Sequence, residues 1–424
     1  MAHVVILGAG LGGLPAAYAM KATLGQHHEV TVVNAAAYFQ FVPSLPWVAL
    51  GWRERIDITL PLAPLLASKH INFIAGTVTY IDANHNRLHL ANCEIIDYDY
   101  LLLTTGPELA YAEVPGLGPL EGFTQSVCTI GEAEQAYKEY KKLLDKPGPV
   151  VIGAVRGTSC FGPAYEFALM LDTDLRRYKR RQDIPITFVT SEPYLGHLGL
   201  GGIGESKSML EAEFQERGIQ WLVNASVLKA KDGVLFVEEH GQYGETLQYH
   251  ELPFHYAMLM PAFRGVTAVA NVEGLCTPRG FVTVDDFQRN KTYPNIYAAG
   301  VCIAIPPVEI TPVPTAIPKT GYMIESMVWA SVLNIRDELH GQEPLTRASW
   351  NTICLADMGN TGAAFVAIPQ IPPRNITWTK KGPWAHLAKV GYEKFFLRQM
   401  KQGSGESIYE KYILKAIGLG NLRS

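Results

Sequence analysis

Charge is scarce in this 424-residue chain: 18% of residues are Asp, Glu, Lys or Arg, and 36 basic against 40 acidic residues leave a formal net charge of −4. That balance excludes the clustered basic face that nucleic acid demands, so no nucleic-acid partner is expected. A hydrophobic content of 48% excludes a disordered chain. No apolar run reaches the ~18 residues of a spanning helix. The N-terminus has no basic stretch or cleavage site before its first apolar run, so no secretory signal is expected. Cysteine is sparse, with Cys93, Cys128, Cys160, Cys276, Cys302 and Cys354 the only six. None forms a CxxC pair, which excludes zinc ribbons, thioredoxin motifs and a disulfide-stapled scaffold; no metal site is expected. No solenoid-type repeat is visible, and the length suits two or three domains of ~100–200 residues.

What is present is a repeated strand–glycine–helix pattern. HVVILGAG is an apolar β-branched run ending in glycine, LPAAYAMKATLG follows with helical spacing, and HEVTVVN returns to strand. A second unit opens near residue 149 with PVVIGAVRG, continues through AYEFALMLDTDLRRYKR and returns to strand in ITFVTSEP. Two such units predict an α/β fold with two Rossmann-like dinucleotide-binding domains. NIYAAGVCIAIPP at 295–307 reads as a strand running into a Gly–Pro turn, with a helix from Gly321 that stops at Gly341. The expected division is residues 1–110 with 285–345 as one discontinuous domain, 111–284 as the second, and 346–424 as a C-terminal region. From Trp384 onward seven Lys/Arg face three Glu, a local net of +4 in a negative chain. The stretches WAHLAKVGYEKFFLRQMK and SIYEKYILKAIGLG mix bulky aromatics with lysines, the composition of an amphipathic helix pair lying in a bilayer interface.

Gly8, Gly10 and Gly13 form G-x-G-x-x-G between strand and helix. The first permits a tight turn, the second a close approach to a pyrophosphate, and the third close helix–strand packing. About twenty residues on, where an acid would hold a ribose hydroxyl, stands Asn34, which can still accept a hydrogen bond. YDYLLLTTGPEL at 98–109 and NIYAAGVCIAIPP resemble the further dinucleotide segments of flavoproteins and favour FAD over NAD; Val301 replaces the usual Asp of the second. The second glycine turn is degenerate, GAVRGTSCFGPAYE, with Val155 and Arg156 where a backbone would approach a phosphate. An NADH site there is disfavoured, and electrons must come from another donor.

GTSCFGPAYE around Cys160, TSEPYLGHLG at 190–199, PVEITPVPTAIPKTGYMIES at 307–326 and CLADMGNTG at 354–362 resemble sulfide:quinone oxidoreductases of the bacterial type, within the disulfide oxidoreductase flavoproteins. The resemblance runs over essentially the whole chain. It implies two redox-active thiols on one flavin face, Cys160 and Cys354. Hydrosulfide attack on the joined pair would leave a persulfide on one and a thiolate on the other; Cys354 is taken as the persulfide carrier and Cys160 as the thiolate facing the flavin. Cys128 matches a third family cysteine, either relaying sulfur or idle, while Cys93, Cys276 and Cys302 read as small buried hydrophobes. Glu166 is a candidate general base near the thiols, or else a carboxylate at a helix start. Lys319 is expected at the flavin N1/O2 edge, stabilising the reduced anion. The FAD contacts implied are Gly8, Ala9, Gly10, Gly12, Gly13, Asn34, Val78, Thr105, Gly106, Gly300, Val301, Lys319 and Gly321.

For the quinone, of ubiquinone or menaquinone type, the resemblance implies an apolar pocket on the opposite flavin face. The candidates are Phe41, Pro43, Gly321, Lys389, Tyr392 and Tyr409, with His197 as proton relay. A histidine of the family has no counterpart, position 132 being Glu132. The partners implied are hydrosulfide, the quinone, a lipid surface and a second copy of the chain. Peripheral attachment to a bacterial or archaeal cytoplasmic membrane is expected. Rival readings are a flavocytochrome-type sulfide dehydrogenase, a type II NADH dehydrogenase and a non-catalytic flavin-binding protein. The last would be favoured by alanine at either key cysteine.

Overall fold

The computed structural model describes residues 1–407; the second helical stretch expected in the tail, and Tyr409 with it, lie outside the described residues. The apolar start of the chain forms β1 (His3–Leu7), followed by α1 (Gly13–Leu24), β2 (Glu29–Asn34), β3 (Asn72–Ala75) and β4 (Tyr100–Leu103). The degenerate unit then supplies β5 (Val150–Ala154), α2 (Phe161–Arg177), β6 (Ile186–Thr190), β7 (Ile219–Leu222) and β8 (Tyr256–Met260), a parallel sheet of order β7-β6-β5-β8. β9 (Ile296–Ala298) returns to the first sheet, giving the parallel order β9-β4-β1-β2-β3. Strands such as β1 and β5 are apolar almost throughout because helices cover both faces of a parallel sheet. Both expected doubly wound units are therefore present, and the strand read at 295–307 is confined to its first residues.

α3 (Gly321–Leu339) packs on α1 and is followed by Gly341 at φ +74°, where the sequence places its stop. Beyond it, β10 (Thr352–Asp357), β11 (Gly362–Ile368) and β12 (Ile376–Gly382) form an antiparallel sheet, and α4 (Pro383–Gln402) lies across it. α4 buries Ala385, Lys389, Glu393, Phe396, Leu397 and Met400, whereas Trp384, Leu387, Lys394, Phe395 and Arg398 are exposed. That three-and-four spacing is the signature of an amphipathic helix. Its far end is held by Tyr18 of α1, whose hydroxyl donates to Met400 O at 3.1 Å. No helix among the described residues is long and apolar enough to cross a membrane.

The first glycine turn shows why glycine is required. Gly8 sits at φ +102°, and a Cβ there would lie 2.5 Å from Thr104 O. At Gly13 a Cβ would lie 1.8 Å from Gly8 O, so α1 can start only against a bare backbone. Gly13→Ala is therefore expected to lower unfolding stability by about 1–3 kcal/mol, as overpacking of a tight contact does. Urea denaturation measures this, and an unchanged midpoint would contradict the close-packing role.

Candidate active site

The ends of β1, β2, β4 and β9 meet around the first glycine turn. Ala9 N–H donates to Asn34 Oδ1 at 2.9 Å, and Asn34 Nδ2 donates to Ala36 O at 2.7 Å. Asn34 thus fastens the turn to the end of β2, keeping one lone pair for a ligand. Thr104 donates to Gly8 O at 2.9 Å from the opposite side. A Cβ at Gly10 or at Gly106 would meet no protein atom within 4 Å, so these backbones border open space that a dinucleotide fits. Gly12 backs instead onto Ile324 of α3. Val78 is half-buried just past β3, Thr105 follows β4, Gly300 (φ +89°) and Val301 follow β9, and Gly321 opens α3. The bare backbones of Gly10 and Gly106 beside the first glycine turn suit a dinucleotide.

The second turn is closed by the protein itself. Gly157 N–H donates to Pro314 O at 2.7 Å and Ala316 N–H donates to Thr158 O at 3.1 Å, laying the 314–316 segment over the turn. Val155 is buried, and its N–H goes to Met260 O at 3.1 Å. The Val155 and Gly157 N–H groups and the Thr158 carbonyl of the turn are thus committed within the protein, and the 314–316 segment covers it.

α2 then carries the chemistry. Cys160 is its N-cap and Glu166 lies on its inner side, buried. Three groups on α2 stitch it to the end of β10. Glu166 Oε1 accepts from Asp357 N–H (3.3 Å), Thr173 Oγ1 donates to Met358 O (2.7 Å), and Arg177 donates to Gly359 O (3.1 Å). Those positions, seven and four residues apart, share one helix face. The seam brings Cys354, on β10, within electrostatic reach of Cys160, and Cys160 in turn acts on Cys128. All three are free thiols, each half-buried. Burial pushes the Cys160 thiol up to about 11; Lys319 opposes this and Cys354 adds to it. Burial also raises Cys354 to about 11, with Glu166 adding and Lys389 opposing. Burial raises Cys128 further, Glu132 contributing. Lys319 is driven down to about 8 by burial, with Cys160 and Cys302 resisting, and its Nζ sits 5.1 Å from the Phe281 ring.

Glu166 is ion-paired with Lys389 of α4, both nearly inaccessible. Burial holds the Glu166 carboxyl at about 7, Lys389 drawing it down and Asp357 pushing it up. Lys389 also lies 5.1 Å from the Trp47 ring. Trp47 Nε1–H donates to Asp357 Oδ2 (2.7 Å), and His386 Nδ1 bonds Asp357 Oδ1 (2.8 Å). Across Trp47, Arg53 pairs with buried Glu393 at 2.9 Å, and Ser44 donates to the same carboxylate. Phe41, Tyr392 and Phe396 form an aromatic cluster with centroids 5.1–5.9 Å apart, and Pro43 stands half-buried beside it.

His197 is fully buried; it bonds Glu309 at 2.8 Å and accepts from Gly199 N–H at 3.2 Å. Glu132 is a helix-capping residue, bonded to Thr129 and to Tyr111 OH (2.7 Å). Cys302 is buried and donates to Leu103 O and Ala299 O, both at 3.3 Å. Asp357, His386, Trp47, Arg53 and Glu393 were not expected from the sequence. The spacing of His386, Lys389 and Glu393 on one helix face was a usable signal; the Trp47–Asp357 bond, spanning 310 positions, had none.

Two nucleotide-type parallel sheets, the first with an open glycine turn and the second with a covered one, are the architecture of a flavin-dependent disulfide oxidoreductase. Residues 2–320 match the family model described as "Pyridine nucleotide-disulphide oxidoreductase". The chain is 41% identical to the Sulfide-quinone reductase of Aquifex aeolicus, over 97% of this chain and 94% of that one. The X-ray structure of the sulfide:quinone oxidoreductase from A. aeolicus superposes with a TM-score of 0.92 at 40% identity, covering 99% of this chain and 96% of that one. More distant relatives are the mitochondrial Sulfide:quinone oxidoreductase of Mus musculus (24% identity, 72% of this chain, 66% of that one) and the Type II NADH:quinone oxidoreductase of Staphylococcus aureus (24%, 85% and 89%). The chain belongs to the pyridine nucleotide-disulphide oxidoreductase family, and within it to the sulfide-quinone reductases.

The Glu166 carboxyl carries a pH signature. Its folded value of about 7 exceeds the ordinary 4.5, so the native state holds an extra proton between those limits. The stability this contributes is complete below about pH 4.5 and is lost as pH rises through about 7. Relative to the parent, Glu166→Gln should therefore gain unfolding free energy steadily over that window and then level off. Urea titrations across pH test this, and a pH-independent difference would contradict it.

Proposed function

We propose that this chain is an FAD-dependent sulfide:quinone oxidoreductase that oxidises hydrosulfide through Cys160 and Cys354 and reduces a membrane quinone. The observation that carries the reading is the seam that brings Cys354 alongside the Cys160 helix, next to Glu166 and Lys389, while the second nucleotide turn is covered by the chain's own backbone. A hydride donor has no cradle there, whereas a small sulfur anion needs none.

FAD would be held by Gly8, Ala9, Gly10, Gly12, Gly13, Asn34, Val78, Thr105, Gly106, Gly300, Val301 and Gly321, with Lys319 supplying positive charge. When bound, FAD accepts the electron pair from sulfur and returns it to the quinone. Cys160 and Cys354 are free thiols; once two electrons had passed from them to bound FAD and their two protons had left to solvent they would be joined, and hydrosulfide attack would then break that S–S bond, leaving a persulfide on Cys354 and a thiolate on Cys160. The free N–H groups at the start of α2 favour that thiolate. Glu166 takes the proton released from hydrosulfide, a role that a carboxyl titrating near neutrality suits. Lys389 holds the Glu166 charge and supports the reduced quinone oxygen. The Phe41, Pro43 and Tyr392 side chains supply an apolar wall for a flat ring. Cys128 is available to take sulfur from Cys160.

The reading also calls for a lipid surface from which the quinone arrives. Trp384, Leu387 and Phe395 are 42%, 66% and 37% exposed on the outer face of α4, beside Lys394 and Arg398. That combination suits insertion into an interface with anionic headgroups.

Two measurements test the proposal. Anaerobic sulfide should bleach the flavin absorbance and a soluble quinone analogue should restore it, while NADH leaves it unchanged. Cys160→Ser and Cys354→Ala should each retain FAD and lose sulfide bleaching. Rapid bleaching by NADH alone would instead favour a dehydrogenase. Separately, Trp384→Ser with Leu387→Ser should weaken sedimentation with phosphatidylserine-containing vesicles by at least about tenfold. Unaltered binding would move the attachment surface away from α4.

A further inference from the structure

The sulfide:quinone reading leaves one proton unaccounted for. Hydrosulfide gives up two electrons and one proton as it becomes sulfur, whereas a quinone takes two electrons and two protons to become quinol. The balanced reaction, HS⁻ + H⁺ + quinone → S⁰ + quinol, draws one proton from outside per turnover. That proton must cross from solvent to a buried site.

The polar network around Glu166 has few openings. Glu166, Asp357 and Glu393 are buried and Lys389 is nearly so. Among its described charged or titratable members Arg53 (24% side-chain exposure), His386 (29%), the exposed Arg177 and the half-buried Cys354 reach solvent, and burial holds the Cys354 thiol up at about 11. A guanidinium does not release its proton in this pH range, but an imidazole exchanges readily near neutrality. His386 lies one helical turn before Lys389, a spacing that places the side chains on the same face about 5–6 Å apart at Cβ. Its Nδ1 is tied to Asp357 Oδ1 at 2.8 Å. Asp357 is itself clamped by Trp47 Nε1–H (2.7 Å) and Gly359 N–H (2.9 Å), and its own N–H reaches Glu166. A fully buried carboxylate thus orients an imidazole that is 29% exposed, and among the described residues no hydrogen bond engages its second ring nitrogen, Nε2.

We propose that His386, oriented by Asp357, is the port through which the external proton for quinone reduction enters the Glu166–Lys389 site. An N–H bond forms at Nε2 with a proton from water. The Nδ1–H bond then breaks as its proton bonds to Asp357 Oδ1; that O–H bond breaks in turn as the proton passes through a bridging water to the Glu166 carboxylate, which has given its own proton to the reduced quinone oxygen. No electrons move in these steps. The charged groups facing this path are Asp357 on β10, Glu166 on α2, Lys389 and Glu393 on α4, Arg53, and Arg177, which donates to Gly359 O.

The test uses full-length holoenzyme carrying His386→Gln, with flavin content and thermal unfolding as controls for folding. The two half-reactions are followed separately by anaerobic stopped flow. Sulfide bleaching should stay within about twofold of the parent at every pH. Reoxidation by a quinone analogue, started from dithionite-reduced enzyme so that it does not depend on sulfide, should slow at least about tenfold above pH ~7. Added imidazole should restore it in the variant while leaving the parent unaffected. Reoxidation at the parent rate across the pH range, or slowing that imidazole does not relieve, would overturn the port. Failure of sulfide to bleach the parent enzyme would instead overturn the underlying reading, and the dithionite arm would still decide the port.

Discussion

The ion pair between Glu166 and Lys389 is the contact on which the active-site arrangement depends. Taking two charges out of water costs several kcal/mol per ion, and a buried pair of this kind seldom adds net stability over an apolar one. It persists because each partner is further engaged: Glu166 accepts from the Asp357 backbone, and Lys389 lies against the Trp47 ring. The pair joins α2 to α4 across β10, the strand bearing Cys354. Losing one partner would leave a charge stranded in the interior, so the two helices are constrained to meet there. The constraint serves chemistry more than stability, since it sets a carboxyl that titrates near neutrality beside a thiol.

α4 links that interior to the outside through its period. Lys389 and Glu393 point inward, while Trp384, Leu387 and Phe395 point outward, and His386 stands at the boundary. A single helix thereby supplies the charged inner wall of the site and an apolar, lysine-flanked outer face. Any tilt of α4 would be transmitted to Lys389, because one helix carries both faces and its far end is pinned by Tyr18.

Much of this architecture was legible beforehand because its signals are local. A glycine turn between an apolar strand and a helix is read from contiguous residues, and the clash distances at Gly8 and Gly13 give the physical reason for the pattern. The inability of Val155 and Arg156 to cradle a phosphate was equally local, although the segment that covers the turn, 314–316, lies some 160 positions away and gave no such sign. The thiol pair was reached through family resemblance, since 194 positions separate Cys160 from Cys354 and no periodicity links them. Lys389 is a quinone candidate through the family resemblance; its pairing with Glu166 depends on a tertiary contact spanning 223 positions, which no local pattern shows. His197 looked like a relay because it is a histidine in a quoted motif, yet its two bonds hold the 197–202 loop and Glu309.

The retention of a complete second nucleotide fold without an open nucleotide cradle has a physical explanation in the start of α2. In a strand–turn–helix unit the helix begins with unpaired N–H groups and a partial positive charge, a place suited to an anion. In the first unit that place faces the open cradle; in the second it is taken by Cys160, the N-cap of α2. The dipole contributes about 0.3–1 kcal/mol, and at most about 2 in enclosed geometry, toward the thiolate. Burial works against it strongly enough that the thiol stays at about 11, so the helix start alone does not ionise Cys160. Lys319 adds a second positive charge in the same enclosure, and it is itself poised at about 8 by burial. The value of about 11 already counts that charge, so the buried sulfur rests as a thiol, and what the second unit supplies is its position: a helix start within electrostatic reach of Lys319 and Cys354.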